Sequence, residues 1–180
     1  ALLRKQAGDS MASGHERDVA LFTLLYKQLT RGLYGDFISD LKRLPASAPT
    51  EQNYWNELRE AETIPVGIFN GGASKSGYVC PAIRTTATAL AQNPKSAMAL
   101  LCLGDFVRTN GLDGFSIDAR PENHLLGGVA NEFPGKPFER LEAYKSLIAN
   151  PATPANEKAY ALYRAVNCYA PSGNNSCNGA

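Results

Sequence analysis

The segment RDVALFTLLYKQLTR, residues 17–31, limits the fold more than any other stretch of this chain. Leu21, Phe22, Leu24, Leu25, Tyr26 and Leu29 cover most of the circumference of a helix, and only Thr23 and Lys27 mark a clear polar wedge. A helix with so little polar surface needs apolar partners on two sides, so other helices must lie against it in layers. Gly32 then interrupts the pattern, and LYGDFISDLKRLP resumes it with Leu33, Phe37, Ile38, Leu41 and Leu44 until Pro45 stops it. The spacing predicts a helix pair over about 17–45.

The same punctuation continues along the chain. TEQNYWNELREAE predicts a helix over 50–62 with Thr50 as its cap, carrying Tyr54, Trp55, Leu58 and Ala61 at helical spacing. Pro65, Gly67, Gly71, Gly72 and Gly77 break the helical period over 63–80, which predicts a long loop. PAIRTTATALAQNP and SAMALLCLGDFVRT predict a second helix pair over 81–110, turning at Pro94. A Gly- and Pro-rich loop follows over 111–136, a third pair over 137–170 divided by Pro151 and Pro154, and a tail over 171–180. Alternation of period two is confined to a few residues around Ile68, so the expected class is all-α. At 180 residues the chain suits one domain, which at this size buries about 70% of its unfolded surface.

Within that pattern, LCLGDFVRTNG and RGLYGDFISDLKRLP resemble parts of tetratricopeptide repeats. Leu103 and Gly104 match the family's Leu-Gly pair, Gly111 and Gly32 match its turn glycine, and Ala82, Ala89 and Pro94 match the small residues and terminator of a second helix. The resemblance implies antiparallel helix hairpins stacked as a short solenoid with long Gly/Pro-rich loops. It also implies a role for Gly104, which costs about 1 kcal/mol relative to alanine in a helix: close approach of a neighbouring helix. The helix-ending prolines at 45, 94 and 151 depart from the family's regular period, and Phe37 stands where the family has a small alanine.

A formal net charge of +1 supplies no field to steer nucleic acid, so no nucleic-acid partner is expected. The apolar runs are far shorter than the roughly 18 residues of a membrane span. The N-terminal ALLRKQAGDSMASGHERD lacks the apolar centre of a signal peptide and reads as a trimmed or mature end. Four cysteines, Cys80, Cys102, Cys168 and Cys177, permit three connectivities, and none has the CxxC spacing of a metal site. The favoured bridge joins Cys168, near a helix end, to Cys177 across a Pro, Ser, Gly and Asn stretch that folds back. Joining Cys80 to Cys102 requires Cys80 to lie in a loop that bends inward, because in a hairpin turning near Pro94 the two stand about 9 Å apart in height. An even count with a short bridge favours an oxidising compartment, periplasmic or secreted.

The chain assembles no complete catalytic pattern. SDLK (39–42), KSG (75–77) and SGN (172–174) carry the triplets of penicillin-binding serine enzymes, but in the wrong order and with Ser39 midway along a helix. GGASKSG lacks the residue order of a phosphate loop. His15 and His124 stand outside any metalloprotease pattern, and Glu57, Glu60 and Glu62 beside Arg59 suit a solvated helix face. Neither a cofactor nor a metal is expected.

The last helix carries the strongest surface signal. At 100° per residue Tyr160, Tyr163, Arg164 and Asn167 share one face, with Ala161, Leu162, Ala165, Val166 and Tyr169 on the other. Planar aromatic area with directional donors has the composition of a recognition surface. The two tyrosines also suit packing beneath a neighbouring helix or the SGNNSC loop, with Arg164 capping a carbonyl. The sequence therefore points to a non-catalytic helical-repeat protein that binds a protein or peptide in the cell envelope or extracellular space. A helical enzyme acting on cell-wall glycan through a glutamate is the alternative.

Overall fold

The computed structural model describes residues 1–51, 58, 61–71, 78–113 and 133–169, and the regular elements among them are all helical. They run in the order α1 (Leu2–Gln6), α2 (Gly14–Thr30), α3 (Tyr34–Asp40), α4 (Ile83–Gln92), α5 (Ala97–Thr109), α6 (Arg140–Ala149) and α7 (Ala155–Tyr169), with 3-10 turns at Leu41–Arg43 and Val66–Asn70. The expected helix over 50–62 falls largely outside the described residues. None of the described helices is long and apolar enough to cross a membrane.

The apolar helix α2 begins at Gly14 because Ser13 and Glu16 close a capping box. The Glu16 amide donates to Ser13 Oγ at 3.2 Å, and the Ser13 amide donates to Glu16 Oε2 at 2.8 Å. From Ala20 to Thr30 every residue except Thr23 is buried, which is the two-sided cover its composition demands. Lys27, expected in a polar wedge, is buried as well, with its ammonium 5.9 Å from the centre of the Phe133 ring. Gly32 turns the chain at φ 74°, and α3 follows.

Each helix packs on the next in sequence, from α1 on α2 through to α6 on α7, and α5 also touches α7. Two apolar clusters result. The larger joins α2, α3, α4 and one side of α5; the smaller joins Leu101 of α5 to Leu141, Tyr144 and Leu147 of α6 and Ala161 and Ala165 of α7. Helix α5 serves both, and residues Leu101 to Val107 are buried without interruption.

Of the long loop expected over 63–80, residues 72–77 lie outside the described residues, and Val66–Asn70 form a 3-10 turn. Ile64, Val66, Ile68 and Phe69 are buried, and the Phe69 ring lies 5.3 Å from Phe22, 6.0 Å from Phe37 and 5.9 Å from Phe106. Glycine and proline broke the helical period there without lowering the apolar content, so a 3-10 turn fills the core instead.

The described disulfide is Cys80–Cys102, with the Cα atoms 5.4 Å apart. The pairing holds because Cys80 lies ahead of α4, in the segment that approaches α5, and so avoids the height mismatch of the hairpin. Cys168 is disulfide-bonded too, and Cys177 lies outside the described residues.

At Gly104 an added methyl group would lie 2.6 Å from the Tyr144 hydroxyl and 3.1 Å from its ring, so the glycine sets how closely α5 and α6 approach. Leu103 beside it is wholly buried, and Gly111 ends the α5 turn at φ 60°.

Candidate functional site

Helix α7 meets α5 through a buried polar cluster. Its centre is Asp105, wholly removed from solvent in the middle of an apolar stripe. The Tyr160 hydroxyl donates to Asp105 Oδ2 at 2.6 Å and accepts from Arg164 Nε and Nη2 at 2.8 and 2.7 Å. Arg164 Nε also stands 3.3 Å from Asp105 Oδ1, and Arg108 Nη2 reaches the same oxygen at 3.2 Å. A carboxylate buried alone would be costly; two guanidiniums and a phenol compensate it and tie α7 to α5.

Aromatic rings surround this anchor. The Arg164 guanidinium lies 5.0 Å from the Tyr160 ring centre and 5.1 Å from that of Tyr163. Tyr78, from the segment leading to Cys80, stacks on Tyr160 with centroids 4.3 Å apart and planes 13° from parallel. Burial, and then the charge of Glu157, push the Tyr78 phenol above its ordinary pKa. Tyr163 is 56% exposed, flanked by exposed Leu162 and Val166, and Val79 stands exposed beside Tyr78.

Of the four residues that sequence spacing placed on one face, the structure gathers Tyr160, Tyr163 and Arg164 and gives each a different part. Arg164 is buried, Tyr160 is half-buried and bonded inward, and Tyr163 faces solvent. Exposed Asn167 donates to the Tyr163 carbonyl at 2.7 Å, within its own helix. The division between the faces also differs from the expected one: Ala161 and Ala165 are buried, whereas Leu162 and Val166 are exposed. The reason is the ion pair, which turns Arg164 inward and rotates the apolar pair out. Sequence reading missed Asp105, Arg108 and Tyr78. An aspartate inside LLCLGDFV was the available signal, because a charge in such a stripe needs a buried partner.

A second concavity opens between the α2–α3 turn and the start of α6. It is a cleft of about 650 Å³ lined in part by Tyr34, Leu100, Lys136, Phe138, Glu139 and Glu142. Glu139 and Glu142 are exposed, and Glu142 pairs with Lys145 at 2.8 Å, the surroundings of solvated carboxylates. His15, Ser39 and Glu62 are not buried, while Glu57, Glu60, Lys75 to Gly77, His124 and Ser172 to Asn174 lie outside the described residues. No three His, Cys, Asp or Glu side chains gather as a metal site among the described residues.

Fold and cluster together define a disulfide-bonded protein, all-helical among the described residues, with an aromatic surface on α7. Comparison with protein-family models, with curated proteins and with solved structures finds no match to this chain.

Proposed function

We propose that this chain is a non-catalytic helical-repeat protein, built on tetratricopeptide-like hairpins, that binds a protein or peptide partner in the cell envelope or extracellular space. The observation that carries the reading is Tyr163. Its ring is 56% exposed, yet it is backed by a guanidinium that the buried Asp105 holds in place. An aromatic side chain ordered before binding has little rotamer freedom left to lose, which is the property of residues that dominate interfaces. Exposed Leu162 and Val166 extend the apolar area around it, and the helix-by-helix packing order and disulfide bonding are in keeping with a repeat protein of an oxidising compartment.

The test is site-specific photocrosslinking with a benzophenone side chain at position 162 or 166, in envelope extract of the source cell. A discrete adduct with another protein is expected, and Tyr163→Ser should remove it while leaving helicity by circular dichroism unchanged. Arg164 is unsuitable for this purpose because its loss removes one of the two guanidiniums that compensate the buried Asp105. An adduct that survives Tyr163→Ser, or no adduct at either position, would count against the reading.

A further inference from the structure

The Cys80–Cys102 disulfide stands next to the α7 surface in a chain of contacts that crosses three elements. Cys102 lies on α5 three residues before Asp105, and its partner Cys80 lies two residues after Tyr78. Tyr78 stacks on Tyr160, which donates to Asp105 and thereby closes the circuit back to α5. Both sulfurs belong to buried residues, whereas Val79 between Tyr78 and Cys80 is exposed. Residues 78–80 are thus held at one end by a covalent bond and at the other by Tyr78, which stacks on Tyr160 and packs against the smaller apolar cluster.

These two attachments differ in strength. One aromatic stack and the edge of a small apolar cluster offset little of the conformational entropy of ordering the segment that carries Tyr78, whereas the disulfide pins Cys80 two residues away and leaves only a short stretch of chain to order. We propose that the Cys80–Cys102 disulfide builds the Tyr78 side of the α7 surface. The oxidised protein presents Tyr78, Tyr160 and Tyr163 as one platform, and the protein with reduced Cys80 and Cys102 presents only Tyr160 and Tyr163 of the three. Reduction by a dithiol accounts for the difference: the dithiol supplies two electrons and two protons, leaves as its own cyclic disulfide, and converts both cysteines to thiols. That this platform meets a partner rests on the function proposed above; its dependence on the disulfide does not.

The experiment compares the oxidised chain with Cys80→Ala/Cys102→Val, which keeps apolar side chains at both buried positions and leaves Cys168 and Cys177 intact. Nuclear Overhauser contacts between the Tyr78 and Tyr160 rings report the stack, and amide exchange at residues 78–80 reports its anchoring. Loss of the ring contacts, with exchange at 78–80 faster by about tenfold or more and helicity retained, is expected. Tyr78→Ala with the disulfide intact identifies which contacts belong to the stack. Ring contacts and slow exchange that persist in the double variant would overturn the proposal. Should that variant lose helicity, dithiol titration of Cys168→Ala/Cys177→Ala, in which Cys80–Cys102 is the bond left to reduce, decides: loss of the ring contacts before helicity supports the proposal, and simultaneous loss assigns the disulfide to the whole core and overturns it. None of these readouts needs a partner, so failure here and failure of the crosslinking test are separate results.

Discussion

Gly104 and Asp105 are neighbours with opposite relations to their surroundings, one defined by the side chain it lacks and the other by the charge it keeps. A methyl group at position 104 meets the Tyr144 hydroxyl at 2.6 Å, and the Tyr144 ring is wholly buried with nowhere to retreat. Gly104→Ala should therefore destabilise the protein by about 1–3 kcal/mol in urea unfolding, despite alanine's better helix propensity. The buried Tyr144 hydroxyl stands near the Arg140 guanidinium without a well-formed hydrogen bond, so Tyr144→Phe should cost little by itself and should reduce the cost of Gly104→Ala. A double-mutant cycle checks this, and strict additivity would contradict the contact. Asp105→Asn keeps the shape but leaves Arg164, nine-tenths buried, facing a neutral amide. Its expected cost is about 3–5 kcal/mol by the same measurement, with Tyr160→Phe milder because the ion pair survives.

Helix α1 illustrates how a short element is retained by charge. Its five residues are too few for a stable isolated helix, and none of them is buried. Arg4 reaches across to Asp40 at the end of α3, with Nη2 2.6 Å from Oδ2, and Arg43 and Gln28 donate to the same carboxylate. Burial disfavours the charged Asp40, but the hydrogen bonds from Arg4, Gln28 and Arg43 outweigh it and hold the pKa below the ordinary 3.8. A carboxylate with a lowered folded-state pKa contributes stability above its ordinary value and loses it as pH falls below that value. Asp40→Asn should thus cost about 1–2 kcal/mol near neutral pH, a modest amount because both arginines are more than a third exposed. The gap between the two proteins should close as pH is lowered below about 4, and urea midpoints across that range measure it. A gap independent of pH would mean that shape rather than charge holds α1.

Across the protein as a unit, α5 is the member on which both apolar clusters depend, and Cys102 lies within it. Losing the Cys80–Cys102 bond should lower global stability by roughly 3 kcal/mol, with the folded state still populated. Thermal unfolding of the Cys80→Ala/Cys102→Val variant measures this. A loss near zero would contradict a bond that constrains the unfolded chain without straining the fold. The buried pair Arg140 and Asp113 ties the start of α6 to the end of the α5 turn, so the second cluster is closed by charge as well as by packing.

Much of this was legible in the chain itself. Apolar stripes of period 3.6, stopped by Gly32, Pro45, Pro94, Gly111 and Pro151, placed the helices other than α1, because helix periodicity and its breakers are local properties. The uncovered circumference of α2 required layers, and the glycine cost at 104 required a close neighbour. Legible too were Tyr160, Tyr163 and Arg164 as members of one cluster. What the residues could not specify was which neighbours they would meet. Asp105, Arg108 and Tyr78 join the α7 site from 52 or more positions away, and the buried ion pair, not the apolar pattern, chose which side of α7 faces solvent. The Cys80–Cys102 bond likewise depended on where a Gly- and Pro-broken segment would travel. Local periodicity determines elements, but desolvation of a charge and closure of a loop are settled by partners distant in the chain, and only the assembled tertiary structure brings those partners together.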